Sequence, residues 1–143
     1  IATGVLVGFA EETLFRGIIL RSLRTKMRAE FWVMLWSSLW FGFFHATNLA
    51  NGSPLGQVIG QCLLASTAGV LLYSVRRWRG LLVLGMVAHG LWDMSVFLPA
   101  SDTAIITNLF VQVAAVIVAV IAVIVMFRKD RSFAVTERGL QTL

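Results

Sequence analysis

Five long apolar segments, at residues 2–20, 31–48, 56–75, 81–98 and 104–127, dominate the 143 residues of this chain. A helix needs roughly 17–25 predominantly apolar residues to cross a bilayer, so each segment is long enough. Strands exposed to lipid would leave backbone polar groups unsatisfied, which makes helices the expected form. Turn-forming residues separate some of them, Asn51-Gly52-Ser53-Pro54 after the second and Pro99 after the fourth. Composition agrees. The chain is 58% hydrophobic and 13% charged, with a mean hydropathy of +0.83, whereas soluble domains are about 25% charged. An ordinary soluble globular domain, a disordered tail and a nucleic-acid-binding module are excluded, despite a net charge of +5. The expected class is all-α, a polytopic transmembrane helix bundle of about five spans.

The basic residues are sorted along the chain. Arg21, Arg24, Lys26 and Arg28 follow the first segment, Arg76, Arg77 and Arg79 the third, and Arg128, Lys129, Arg131 and Arg138 the fifth. No Lys or Arg follows the second or the fourth before the next segment begins. Consecutive crossings with the basic side in the cytoplasm would give this alternation. It predicts an integral membrane protein with cytoplasmic basic loops at 21–30 and 76–80, and a cytoplasmic basic tail at 129–143. Anionic-lipid contact by the same residues is compatible with it. The chain opens in an apolar stretch with no basic region ahead of it, unlike a signal peptide, and is expected to be a piece of a longer membrane protein. Cys62 is the sole cysteine, so neither an intrachain disulfide nor a cysteine metal cluster can form.

Six ionisable residues interrupt the apolar segments: Glu11, Glu12, Arg16, His45, His89 and Asp93. Such groups are costly inside a membrane and mark function by default. Glu12 and Arg16 stand four apart with the acid first, the favourable order for an ion pair on one helix. Each lowers the other's cost, which gives the pair a structural role. Glu11 points about 100° away from Glu12, so its partner must come from another segment. His89 and Asp93 share a helix face. They suit an oriented base, a pair of metal ligands, an oxyanion-binding pair, or polar glue between helices. Neither His-Glu-x-x-His nor Gly-x-Ser-x-Gly occurs. The remaining set of Glu, His, His and Asp can activate water directly or through a metal with an open position. A proton- or cation-coupled transporter would use similar residues, but no internal repeat supports one. Trp32, Trp36 and Trp40 form a stripe that reads as packing or an interfacial anchor. Gly4-x-x-x-Gly8 and Gly56-x-x-x-Gly60 are candidate close-approach motifs.

Three motifs in order carry a resemblance. Glu11-Glu12-Thr13-Leu14-Phe15-Arg16 fits Glu-Glu-x-x-x-Arg, Phe41 to His45 fits Phe-x-x-x-His, and His89 to Asp93 fits His-x-x-x-(Asn/Asp). Together they resemble the CPBP or Abi family of intramembrane endopeptidases, which includes the type II CAAX prenyl proteases. The match covers about residues 8–98, with 104–127 as a plausible last helix and residues 1–128 as the protease domain. The resemblance implies an eight-helix protein, or a variant with fewer, whose N-terminal helices are missing here. It implies that Glu11 activates water, helped by His45, that His89 and Asp93 bind the oxyanion or orient substrate, and that Glu12 and Arg16 support the site. Asp93 stands where eukaryotic members typically carry Asn. An ionised Asp would repel an oxyanion, so it is expected to orient His89 or to be protonated. The family has been described both as zinc-dependent and as glutamate-dependent, and Glu11, His45 and His89 suit either scheme. The implied partners are the lipid bilayer, a peptide or membrane-protein substrate and the missing helices, with no nucleic acid, and the implied location is a bacterial plasma membrane. The alternative is a non-catalytic member that serves as a membrane-complex subunit or a bacteriocin self-immunity factor.

Overall fold

The structure is a computed structural model that describes the backbone of residues 2–97 and 102–141, and the side chains of residues 2–77, 80–94, 106 and 108–130. Every element among the described residues is helical, as the apolar segments require. Helix α1 (Ala2–Glu12) passes through a π-helical stretch (Thr13–Ile19) into α2 (Leu20–Lys26). Helix α3 (Glu30–Phe44) continues as a 3-10 segment (His45–Leu49), followed by α4 (Leu55–Arg79), α5 (Leu82–Phe97) and α6 (Asp102–Gln141). The Pro99 break lies outside the described residues.

The helices differ from the apolar segments at their ends, for one physical reason. Apolar sequence marks where a helix meets lipid, while backbone hydrogen bonding carries on into charged sequence. Arg21, Arg24 and Lys26 therefore lie on α2 rather than in a loop, and Arg76, Arg77 and Arg79 complete α4. Cations suit that position because a helix C-terminus carries partial negative charge. Gly80, with φ 70°, closes α4 in the left-handed conformation. The stretch expected as a tail is helical to Gln141. Conversely, α3 stops being α-helical at Phe44, inside the segment expected to run to residue 48. Within the first segment, the Leu20 N–H bonds to the Phe15 carbonyl, five residues back instead of four.

Packing is closest between α1 and α5 and between α3 and α4, and α4 also meets α5 and α6. Small residues permit these approaches. A Cβ at Gly8 would lie 2.8 Å from the Met86 carbonyl oxygen and 2.9 Å from the Gly90 nitrogen. A Cβ at Gly69 would lie 2.9 Å from the Ser38 Cα, and Gly42 sits as tightly against Cys62 and Ser66. The Gly4/Gly8 motif is therefore a true helix contact. Gly56 and Gly60 face open space, so the second motif is not one. Behind these contacts, Leu20, Val33, Met34, Val70, Tyr73 and Ala119 form one core, and Phe15, Phe41 and Leu72 another.

The outer surface is apolar. Leu6 and Phe43 are each 67% exposed, and the Trp32, Trp36 and Trp40 stripe faces outward. In water such a surface would drive aggregation; in lipid it is the solvated face. Two helices are long and apolar enough to cross a membrane among the described residues, at Leu55–Arg77 and Asn108–Asp130, with a shorter apolar helix at Leu82–Met94.

One end of the bundle is tied by charge. The Glu30 carboxylate takes Arg24 Nε at 2.9 Å, Arg77 Nη1 at 2.9 Å and the Tyr73 hydroxyl, which donates to Oε2. The Phe31 N–H donates to Asp130 Oδ2 at 2.6 Å, joining α3 to α6. Burial alone would push the Glu30 carboxyl up. The hydrogen bonds from Tyr73 and Arg24, with the charges of Arg24 and Arg77, hold it below its ordinary value of 4.5. A carboxyl depressed by folding adds stability above its unfolded pKa and loses it as pH falls through its folded pKa. Acidification from about pH 6 to about pH 3 should therefore cost the wild type more thermal stability than it costs Glu30→Gln. Equal losses in the two proteins would remove Glu30 from the account.

Candidate active site

The site is built where the end of α1 and the π-helical stretch that follows it, the end of α3 and the middle of α5 meet. At its base, Glu12 (0% exposed) and Arg16 (2%) form the expected pair, with Arg16 Nη1 2.8 Å from Glu12 Oε1. Arg16 is held from two further sides. Its Nη2 donates to the Gly69 carbonyl of α4 at 3.2 Å, and its guanidinium carbon lies 4.2 Å from the centre of the Phe41 ring. That distance is within the range of a cation–π contact.

Glu12 has a second partner that spacing along its own helix does not reveal. His89 Nδ1, from α5, lies 3.2 Å from Glu12 Oε1. The carboxylate can only accept, so Nδ1 carries the proton. The other ring nitrogen, Nε2, is thereby turned towards Glu11 Oε2 and Asp93 Oδ2, each 3.7 Å away. Both oxygens are buried and have no hydrogen-bond partner among the described residues. Separations of 3.7 Å exceed a direct hydrogen bond but suit groups that share a water or a substrate atom. The expectation that Glu11 finds its partner on another helix thus holds, and the partner is His89.

His45 reaches the same region from α3. Its backbone N–H bonds to the Gly42 carbonyl, three residues back, as the helix tightens into the 3-10 turn. Ring Nδ1 lies 3.0 Å from the Phe41 carbonyl oxygen. A carbonyl only accepts, so Nδ1 again carries the proton and Nε2 is left as the acceptor when the ring is neutral. The Phe41 ring packs against both histidines, with its centre 5.3 Å from that of His45 and 5.5 Å from that of His89, both edge to face. His45, His89, Asp93 and Trp92 line a cavity of about 70 Å³, closed by Phe41 and the small residues Ala65, Ala68 and Ala88. Water needs roughly 10–15 Å³ by this kind of measure, so water fits where a peptide chain does not.

Five of the six residues singled out in the sequence therefore form one connected set: Glu11, Glu12, Arg16, His89 and Asp93. His45 joins them through the shared cavity and the Phe41 ring. Glu11 is not among the residues that line the cavity and meets the set at His89. Sequence reasoning missed Gly85. A Cβ there would lie 2.7 Å from Glu12 Oε2, so the absent side chain makes room for the buried carboxylate. Its place four residues before His89, on the same helix face, was the available signal. Among the described residues, no group of three His, Cys, Asp or Glu side chains is placed to hold a metal ion. Both Nδ1 atoms are engaged, that of His89 with Glu12 and that of His45 with the Phe41 carbonyl.

A family model described as Type II CAAX prenyl endopeptidase Rce1-like matches residues 1–95 of the chain. No curated protein and no solved structure matches.

Proposed function

The chain belongs to the Rce1-like family of type II CAAX prenyl endopeptidases, and from that premise we propose that it hydrolyses a peptide bond of a lipidated or membrane-associated substrate, using Glu11 to activate water inside the bilayer. The observation that carries the proposal is that Glu11 Oε2 and Asp93 Oδ2 each lie 3.7 Å from His89 Nε2, buried and without a hydrogen-bond partner among the described residues.

In this mechanism, a water bound beside Glu11 attacks the scissile carbonyl carbon. The new C–O bond forms as Glu11 takes the water's proton, and the carbonyl π electrons move onto oxygen. His45 Nε2 accepts a hydrogen bond from the same water and orients it. His89 Nε2, when protonated, donates to the oxyanion. Glu12 supports that state by holding Nδ1–H and by its negative charge, the role of a carboxylate that orients a catalytic imidazole. Asp93, ionised, steadies the same imidazole rather than the oxyanion. As the tetrahedral carbon collapses, the C–N bond breaks and Glu11 returns its proton to the leaving amine. No step of this proposal is routed through a metal. On the positive-inside pattern, the basic ends of α2 and α4 lie in the cytoplasm, and five spans cross a bacterial plasma membrane.

The test is direct. Protein reconstituted in liposomes, in its full-length form, is incubated with a lipidated peptide ending in a CAAX-type sequence, and the released C-terminal fragment is measured by mass spectrometry with and without a chelator. Cleavage that resists chelation is expected. Absence of cleavage by well-folded protein would favour the non-catalytic reading of a membrane-complex subunit or self-immunity factor. Cleavage abolished by chelator and restored by zinc would recast Glu11, His45 and His89 as metal ligands.

A further inference from the structure

His45 occupies an unusual position for a working residue. It stands just beyond an α-helix, on the first residue of a five-residue 3-10 turn, His45–Leu49. Short 3-10 turns have poorer hydrogen-bond geometry than α-helix and persist where something else holds them. This turn is needed for the state of the imidazole. In a continuous α-helix the His45 N–H would bond to the Phe41 carbonyl, four residues back. Here that N–H bonds to Gly42, and the Phe41 carbonyl is taken by the imidazole Nδ1–H. Tightening of the backbone therefore frees the acceptor that fixes which ring nitrogen carries the proton.

Asn48 ties the turn to its neighbours. Its side-chain Nδ2 donates to Gln61 Oε1 of α4 at 2.8 Å, in a half-buried setting. Its carbonyl accepts the N–H of Asn51 at 3.2 Å and of Ser53 at 3.1 Å, which turns the chain towards α4. One residue thus fastens the end of the 3-10 turn sideways to α4 and forwards to the loop. A hydrogen bond of this kind is worth more where apolar surroundings offer no substitute.

We infer that Asn48 and Gln61 are positioning residues for His45: their amide pair keeps the 3-10 turn in place, and the turn keeps His45 in the Nδ1–H form with Nε2 free towards the cavity. The inference rests on the proposed role of His45 for its effect on turnover, but its effect on the imidazole stands without it.

The experiment uses full-length protein labelled with ¹⁵N-histidine in detergent micelles or nanodiscs. The signal from His45 is identified by its loss in His45→Gln, and ¹⁵N shifts report the protonated nitrogen directly. Wild type should show His45 with the proton on Nδ1. Gln61→Leu and Asn48→Leu should move it towards a mixture of both forms, and should lower kcat by about 10- to 100-fold with KM changed far less. The exchanged pair Asn48→Gln/Gln61→Asn has the same combined reach and should restore both readouts. Single variants that keep the wild-type ¹⁵N pattern would overturn the inference. So would an exchanged pair that behaves like the single variants, because a general packing defect would not be repaired by restoring one hydrogen bond. A wild type with the expected His45 signal but no peptidase activity would overturn the proposed function and leave the positioning role standing.

Discussion

Glu11→Gln is expected to lower peptide cleavage by about 10²–10⁴-fold, the usual cost of losing a positioned general base. The fold should survive. Glu11 takes no part in the Arg16 ion pair, and its carboxylate meets the site at His89, 3.7 Å away, with 18% of the side chain exposed. Gln keeps the shape and the capacity to accept a hydrogen bond, so substrate binding should change little and the loss should fall on kcat. Steady-state kinetics of the reconstituted protein, paired with a thermal melt, separates the two effects. Turnover equal to wild type would remove Glu11 as the base. A melting temperature that falls with the activity would show that Glu11 serves the fold, which its position outside the ion pair argues against.

Much of this site was legible in sequence because a membrane makes ionisable residues conspicuous. In a soluble chain Glu11, His45 and Asp93 would be lost among many surface charges. Between apolar helices each one demands a partner. Spacing along one helix identified the Glu12–Arg16 pair and the shared face of His89 and Asp93. What spacing could not give was the contact between helices. That Glu12, rather than Glu11, holds His89 Nδ1 depends on how α5 lies against α1, which Gly8 and Gly90 set by letting the backbones touch. The 3-10 turn at His45 was hidden for a related reason. The sequence from Phe41 to Leu49 stays largely apolar, and hydropathy does not distinguish a tightened turn from a continuing helix. The helix ends were misjudged because Arg21 to Lys26 and Arg76 to Arg79 are polar yet helical. The second glycine motif shows the converse limit: Gly56 and Gly60 have the spacing of a helix contact and no helix against them.

Arg16→Met should destabilise the protein by about 3–5 kcal/mol, the range for removing one partner of a buried ion pair. Several observations place it there. Glu12 is fully buried, its carboxylate lies 2.8 Å from the guanidinium, and a Cβ at Gly85 would lie only 2.7 Å from Oε2. Arg16 also links the π-helical stretch to α4 through the Gly69 carbonyl and packs on Phe41, so its loss loosens three elements at once. Met fills a similar volume, which keeps the loss electrostatic rather than a matter of cavity formation. Arg16 is also the cleaner test of the pair. Glu12→Gln weakens the ion pair and alters the support of His89 together, so its effects on folding and chemistry would be mixed. The two can be separated by a double-mutant cycle read by denaturation in mixed micelles. Adding Glu12→Gln to Arg16→Met removes the stranded carboxylate and should recover a large part of the lost stability, because an absent charge pair costs far less than half of one. It should not recover turnover, since His89 would still lack the carboxylate at Nδ1. Additive losses in the cycle would mean that Arg16 contributes through packing and the Gly69 bond alone, and that the buried pair is not what holds this corner of the bundle together.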